Sequence, residues 1–458
     1  MKNFSNILRV MLSGAALAAM FSACTFEQED YFDESAAIRI QHVNDEIKST
    51  LCAPSSGNGW VIQYYVAGTD DYDFEGFNLF GKFYESGKVT LCSDHRFLRD
   101  GRAGKITEYT SFYEMLAEEG PVLVFNTWND ILSVFVDPVD PGSAPIAIFD
   151  DGEGMNGDDR LVVLSYKEDE VLLRGERHSA PVRFVRLDRT PEEYIAQTAA
   201  MKDYISNEKM AQYYVSNGID TMYIDGLYKG YFNYNDRLID PLDSSVKNCV
   251  FTPDGFRLRT PLVLGADTCQ EFTINAERTA LTSGNVSVSP CWLLTVNSLC
   301  QITNSAKITA QGACDSFAAL YNKLNADIAE NFSSQTFNFI TFGKSSESGS
   351  SSRVGIVFNC NSGTRKYLTG FTGTVKVDSQ TGIATIQADP NDPSSNYASY
   401  NRKDIGSSFT NIVSAMNGSY RLTTNNPFKP SEVLWTKVDD PSFYFVTQFD
   451  FSSSGTIN

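Results

Sequence analysis

Apolar and polar positions along this chain alternate mostly with a period of two, in short runs broken by Gly, Pro, Asn and acidic residues. That is the signature of half-buried strands. The run from Trp60 to Val66 is aromatic and β-branched, which suits a strand. Phe77, Leu79, Gly81 and Phe83 then alternate with polar or smaller neighbours, Glu85-Ser86-Gly87 makes a hairpin turn, and 88–91 return. Further strands are predicted over 122–126, 131–136, 146–149, 160–166, 170–174 and 182–187, with Lys167-Glu168-Asp169 as one of the turns. A second set follows at 227–234, 245–251, 255–259, 271–275, 354–358, 373–377, 384–387, 419–423 and 443–448.

Three stretches have a helical period instead. Ile38, Val43, Ile47 and Leu51 recur at roughly helical spacing behind a capping Ser35, predicting a helix over 36–52 that Pro54 ends. Thr190-Pro191-Glu192-Glu193 combines a capping hydroxyl, a proline at the first helical position and acids in the first turn. The helix it opens is expected to reach Asn207 or Ser216, with Gly218 ending it. Phe317, Leu320, Leu324 and Ile328 share one face of a third helix over 315–331. Ser- and Gly-rich 343–352 is a loop.

The expected fold is mainly β with a few helices (α+β). An antiparallel barrel- or sandwich-like N-terminal domain spans 36–190, a helical linker 191–217, and a second β-rich domain with one amphipathic helix 218–458. A closed or nearly closed barrel is favoured for the first domain because closure hides strand edges. The halves share an order of helix, aromatic strands and hairpin. Thr110-Ser111-Phe112 before Gly120 faintly echoes Ser408-Phe409 before Gly418, which raises an ancient duplication as one reading.

The first thirty residues follow a different pattern. Lys2 and Arg9 form a basic start, no charge interrupts 10–23, and Phe21-Ser22-Ala23-Cys24 closes the run. Basic, then apolar, then small residues is the order of a secretory signal peptide, here 1–23. The apolar stretch is shorter than the roughly 20 residues a membrane-spanning helix needs. A cysteine after Ser-Ala resembles the bacterial lipobox, whose cysteine becomes the lipidated first residue, so Cys24 is the candidate lipidation site. The alternative is an ordinary leader cleaved elsewhere. Glu27, Glu29, Asp30, Asp33 and Glu34 make 24–35 an acidic tether. In Bacteroidota lipoproteins a cluster so placed resembles a surface-export signal, while the plainer reading is a solvated spacer.

Charge narrows the partners. The formal charge is −19, and loss of the leader with Lys2 and Arg9 removes two positive charges to leave −21. Phosphate backbones repel such a chain, so nucleic acid is not an expected partner. An anionic bilayer repels it too, which makes a lipid anchor the expected membrane attachment. Beyond Cys24 the eight cysteines allow about 105 disulfide pairings. None stands at C-x-x-C spacing, and buried small hydrophobes are the competing role. Cys52 with Cys92 is the pairing suggested by their shared half of the chain.

Several segments taken together resemble a family of Bacteroidota lipoproteins, the domain-of-unknown-function 4302 family. They are Gly59-Trp60-Val61 with Tyr64-Tyr65, Gly76-Phe77-Asn78-Leu79 through Lys82-Phe83, and Gly87-Lys88-Val89-Thr90. Gly120-Pro121-Val122-Leu123 with Phe125-Asn126-Thr127, Phe135-Val136-Asp137-Pro138, and Glu168-Asp169-Glu170 through Leu173-Arg174-Gly175 complete the set. The likeness is best over 36–190 and looser beyond 230. It implies a cell-envelope lipoprotein, often associated with nutrient-uptake loci of the starch-utilisation type; with the lipobox and the acidic tether, the expected location is the outer membrane, lipid-anchored and surface-exposed. It brings no catalytic residue.

A search for chemistry returns little. His42, His95 and His178 are the only histidines, none at metal spacing to another. No G-x-S-x-G elbow exists. The acidic stretch 150–159 has the oxygen donors of a Ca²⁺ loop but not the EF-hand spacing, and reads as a solvated hairpin. No metal or cofactor site and no catalytic residue is therefore assigned. Trp60, Trp128, Trp292, Trp435 and the run Tyr223, Tyr228, Tyr231, Phe232, Tyr234 are candidate sugar-stacking rings, with core packing the competing role. The function expected is a binding or accessory protein for a glycan or peptide ligand. A carboxylate-dependent hydrolase, or a scaffold on an outer-membrane transporter, is the alternative.

Overall fold

The computed structural model describes residues 34–53, 57–67, 75–98, 101–136, 155–210, 212–225, 227, 231–234, 246–302, 305–345 and 353–451. Helix α1 (Ala36–Cys52) begins where the Ser35 hydroxyl accepts the Ile38 N–H at 3.4 Å, and it buries Asn44, Ile47 and Leu51. Behind it lies one nine-stranded antiparallel sheet. Its strands are β1 (Trp60–Tyr64), β2 (Phe77–Phe83), β3 (Lys88–Ser93), β4 (Thr107–Phe112), β5 (Glu114–Ala117), β6 (Pro121–Val124), β7 (Arg160–Tyr166), β8 (Glu170–Gly175) and β9 (Pro181–Arg186).

Their spatial order is β4-β3-β2-β1-β9-β8-β7-β6-β5. The two edge strands are thus consecutive in sequence, joined by Tyr113 alone, so the sheet curls until its edges meet at one residue. The loop after β6 covers the β4 edge: Phe112 donates its N–H to Thr127 Oγ1 at 2.9 Å, and Asn129 Nδ2 donates to Ser111 Oγ at 2.8 Å. Covering an edge in this way blocks pairing with another chain.

The stretch 131–136, expected as a strand, is a turn leading into the short helix α2 (Ser133–Val136). Asn129 is the cause. Its Oδ1 accepts the Ile131 N–H at 3.0 Å, and its own N–H donates to Ser133 Oγ, which closes a turn where the apolar run suggested extension. The suggested Cys52–Cys92 bridge does not form, and both thiols are free. Cys52 packs on the core between α1 and the sheet, whereas Cys92 faces the opposite side with Val61, Phe80 and Tyr194.

Helix α3 (Pro191–Ile205) carries a full capping box: Glu193 N–H to Thr190 Oγ1 at 3.2 Å, and Thr190 N–H to Glu193 Oε2 at 3.0 Å. It ends at Ile205, short of the expected 207–216, because Gln212–Ser216 alternates Tyr213 and Val215 inward and forms strand β10. Tyr194 seats α3 on the back of the first sheet, while Met201 and Ile205 enter the next core.

The single C-terminal β-domain expected from sequence is two closed eight-stranded barrels. The first runs from β10 (Gln212–Ser216) through β11 (Thr221–Asp225), β12 (Tyr231–Tyr234), β13 (Val246–Thr252), β14 (Gly255–Leu264), β15 (Asp267–Ile274) and β16 (Leu281–Ser283) to β17 (Val286–Pro290). It closes by pairing Val215 with Val288. Helix α4 (Trp292–Cys300) leads to the second barrel, β18 (Ala306–Ile308), β19 (Thr336–Ser345), β20 (Arg353–Ser362), β21 (Arg365–Asp378), β22 (Ile383–Pro393), β23 (Gly418–Thr423), β24 (Glu432–Lys437) and β25 (Tyr444–Phe449). Helices α5 (Asp315–Asn331) and α7 (Gly406–Met416), the latter preceded by the short α6 (Tyr397–Asn401), pack Phe317, Leu324, Phe409 and Ile412 into its core. The proposed echo of duplication fails on this map: Thr110–Phe112 is strand, whereas Ser408-Phe409 is helix.

In the barrel of β10–β17 the buried side chains, such as Phe256, Leu258, Leu262 and Leu264 of β14, form one core, with Arg257, Arg259 and Val263 turned away. Membrane-spanning barrels have the opposite sense, apolar outside. No helix among the described residues is long and apolar enough to cross a membrane.

Candidate functional site

A cleft of about 760 Å³ opens between the two closed barrels. Its floor on the first barrel is a single row of side chains. In register, Tyr223 of β11 stands opposite Tyr214 of β10, and Tyr214 stands opposite Ser289 of β17. Because strand side chains alternate, this row points outward while Tyr213, Val215 and Ile224 fill the core. Tyr223 is 60% exposed and Tyr214 38%.

Helix α4 builds the end wall. The Cys291 N–H donates to the Gln212 carbonyl of β10 at 3.0 Å, and at the other end Gln301 Nε2 donates to the Val375 carbonyl of β21 at 2.7 Å. Asn297 Oδ1 accepts the Val377 N–H at 2.9 Å. The helix is therefore pinned to both barrels, and Trp292, its first residue, packs on the cores of both. The far wall comes from the β21–β22 turn (Ser379, Gln380) and the end of β23 (Thr423, Thr424). Beyond it, Phe428 is fully buried in the first barrel's core, with its ring 5.7 Å from Tyr204 and 6.4 Å from Tyr213. The walls are thus fixed relative to each other by packing, which keeps the cleft preformed.

The lining is chemically distinctive. One residue in five of this chain is charged, yet none of the eighteen lining residues is Asp, Glu, Lys, Arg or His. Seven are Ser or Thr, and three are the rings Tyr214, Tyr223 and Trp292. Burial pushes the Cys291 thiol up to about 11, so it is no nucleophile at neutral pH. Flat rings and neutral hydroxyls suit a ligand with apolar faces and hydroxyl or amide edges and no net charge.

Other residues singled out from sequence have structural roles. Trp60 is fully buried: its Nε1 donates to the Leu51 carbonyl at 3.0 Å and the Arg186 guanidinium lies 4.0 Å above its ring. Arg186 also donates to the Thr50 and Ala53 carbonyls, capping the C-terminus of α1. Trp435 is fully buried and donates to Thr447 Oγ1 at 2.8 Å. Trp128 is 44% exposed but sits in the loop after β6, away from the cleft, bonded to Asp130. Tyr231, Phe232 and Tyr234 lie on β12, and Tyr228 lies outside the described residues.

His42 pairs with Glu34 at the surface, and His95 is buried with Nε2 2.9 Å from the Ile131 carbonyl. His178 lies 3.5 Å from Asp158. Asp158, at the end of the acidic stretch, accepts the N–H groups of Arg177 and His178 and so braces the β8–β9 turn. Residues 150–154, the expected strand 146–149 and Cys24 with the whole of 1–33 lie outside the described residues, as does 346–352; the first three residues of the expected Ser/Gly loop, 343–345, instead end β19. Among the described residues no group of three or more His, Cys, Asp or Glu side chains is placed to hold a metal.

A family model described as "Domain of unknown function (DUF4302)" matches residues 28–276, which takes in the first sheet, α3 and the first barrel as far as β15. No curated protein matches the chain. Among solved structures, a crystal structure of the C. crescentus beta sliding clamp aligns at 10% identity, covering 90% of this chain and 96% of that one. Its TM-score is 0.11, too low to carry any argument about fold or partners.

Proposed function

We propose, from the premise that this chain belongs to the domain-of-unknown-function 4302 family, that it is a lipid-anchored envelope protein that binds an uncharged glycan or peptide between its barrels. The single observation that carries this reading is the uncharged cleft with Tyr214, Tyr223 and Trp292 on its walls. Rings in a row offer a sugar's apolar face a stacking platform, and the surrounding Ser and Thr hydroxyls offer both donors and acceptors to its edges.

The leader over 1–23, directly followed by Cys24, and the acidic residues behind it support tethering outside the cytoplasm. Burial of acyl chains contributes about 0.8 kcal/mol per CH₂, and stable anchoring takes more than one chain. The chain's high negative charge favours such an anchor over an electrostatic patch. Two-carboxylate hydrolysis needs an acid and a base flanking the scissile bond, and no carboxylate lines this cleft. Binding as part of nutrient uptake, rather than bond cleavage, is the reading these features support.

A binding screen of the full chain against neutral oligosaccharides and uncharged peptides tests it. A saturable hit that competes within one class supports the reading and names the class. Failure of every probe, with the protein folded, points instead to a scaffolding role.

A further inference from the structure

The cleft floor carries outward side chains in two ranks, and their hydrogen bonds narrow what the cleft takes. The first rank runs across the strands from Tyr223 of β11 through Tyr214 of β10 to Ser289 of β17. Thr279 stands at its far end, just before β16, the neighbour of β17. At about 4.8 Å per strand this rank is roughly 14 Å long, more than one sugar ring. The second rank lies two residues along the same strands, roughly 7 Å away. There Thr221 stands opposite Ser216, and Ser216 opposite Ser287.

The hydroxyls of this floor are held in fixed senses. Thr221 donates to Ser216 Oγ at 3.0 Å, Ser216 donates to the Asp220 carbonyl at 3.0 Å, and the Gly218 N–H donates to Ser216 Oγ at 3.1 Å. Ser216 is thereby fully used, with its one proton given and both lone pairs taken. Thr221, exposed on the floor, has given its only proton and keeps lone pairs for a donor from outside. Thr279 is the converse: its Oγ1 accepts the Asn275 amide at 3.1 Å and keeps a proton to give. An occupant that satisfies the floor lays an apolar face on the tyrosines, donates to Thr221 and accepts at Thr279.

A carbohydrate meets those demands, since its apolar ring faces are edged by hydroxyls that both donate and accept. A peptide meets them poorly. Extended peptides are held through main-chain bonds to an open strand edge, and β10, in the middle of the floor, is paired on both sides. A uronate finds no cation in the lining, and the net negative charge of the chain repels it. We infer that the cleft takes a neutral oligosaccharide stacked across Tyr223 and Tyr214, with Thr221 as the acceptor that orients its hydroxyls. This rests on the reading of the cleft as a binding site and selects one of its two ligand classes.

The test is binding of the full chain to an array of neutral hexose and pentose oligosaccharides, capped neutral Gly-Ser and Ala-Thr hexapeptides, and oligogalacturonates, with hits measured by isothermal titration. The expected result is saturable binding of a neutral oligosaccharide and of neither other class. Thr221→Val and Thr221→Ala should each weaken that binding about tenfold with an unchanged melting curve, and Thr221→Ser should keep it. Saturable binding of the capped peptides alone would overturn this inference while leaving the cleft a binding site. Binding of no probe by the folded protein would overturn both readings. Equal affinity for oligogalacturonates, or unaltered affinity in the folded Thr221→Val and Thr221→Ala proteins, would overturn the assignment as well.

Discussion

Tyr214 and Tyr223 stand directly opposite each other on neighbouring strands, both turned out of the first barrel toward the second. A cross-strand aromatic pair of this kind contributes about 0.2–1 kcal/mol. The core ring beside it contributes far more: Tyr213 is 1% exposed and donates its hydroxyl to the Ile205 carbonyl at 2.8 Å. Urea unfolding should therefore show Tyr214→Ala and Tyr223→Ala within about 1 kcal/mol of the parent, and Tyr213→Ala lower by about 3 kcal/mol or more. Equal losses in all three would place the outward pair in the core instead.

The first sheet and the first barrel are stitched together by backbone approach. Tyr65 donates its hydroxyl to the Arg257 carbonyl at 2.9 Å, and the Gly76 N–H donates to the Cys249 carbonyl at 2.9 Å. A Cβ on Gly76 would lie 2.6 Å from the Tyr65 ring and 2.8 Å from Val250 Cβ, closer than packed atoms allow. Tyr65→Phe should cost about 1–2 kcal/mol by orphaning a carbonyl, and Gly76→Ala more, with the two bodies separating. Thermal unfolding with limited proteolysis checks the order, and a neutral Gly76→Ala would show that they are not in contact.

His95 supplies a pH dependence whose sign can be worked out. Burial lowers its pKa from 6.5 to about 4. Between those values the unfolded chain binds a proton that the folded chain does not, so stability falls as pH drops through this window. At about 1.4 kcal/mol per unit, the loss from this group reaches about 3 kcal/mol. His95→Gln keeps a donor for the Ile131 carbonyl and has nothing to titrate. Its stability should fall less than the parent's between pH 7 and pH 4, as read by urea midpoints. Parallel curves would contradict a buried neutral imidazole.

The proposed anchoring rests on one thiol, Cys24. Cys24→Ala should abolish metabolic labelling with a fatty acid and move the protein from the detergent phase to the aqueous phase. Unchanged labelling would place the lipid elsewhere or remove it from the account.

Local signals were the legible part of this fold. Ser35 and Pro54 around one apolar stripe located α1, and the apolar face of 315–331 located α5 to the residue. The hairpin at Glu85-Ser86-Gly87 announced itself through turn chemistry. Elsewhere side-chain bonds and short runs overrode the pattern. Asn129 bent an apolar stretch into a turn, and α7 hid behind a Gly406 start with no capping side chain. That 218–458 holds two barrels was not legible, because closure depends on pairing β10 with β17 and β18 with β25, contacts of long sequence separation. The cleft was half legible. Trp292 and Tyr223 stood out as rings, but their meeting with Ser379 and Thr423 is a product of barrel packing.

The central claim is tested most directly by tryptophan fluorescence during titration with neutral oligosaccharides and uncharged peptides. Trp292 is the one tryptophan on the cleft wall; Trp60 and Trp435 are buried in cores and Trp128 lies in the loop after β6. The account predicts a saturable change that survives Trp128→Phe, disappears in Trp292→Phe, and weakens at least tenfold in Tyr223→Ala. A change that persists in both cleft variants, or no saturable change with any neutral ligand, would contradict it.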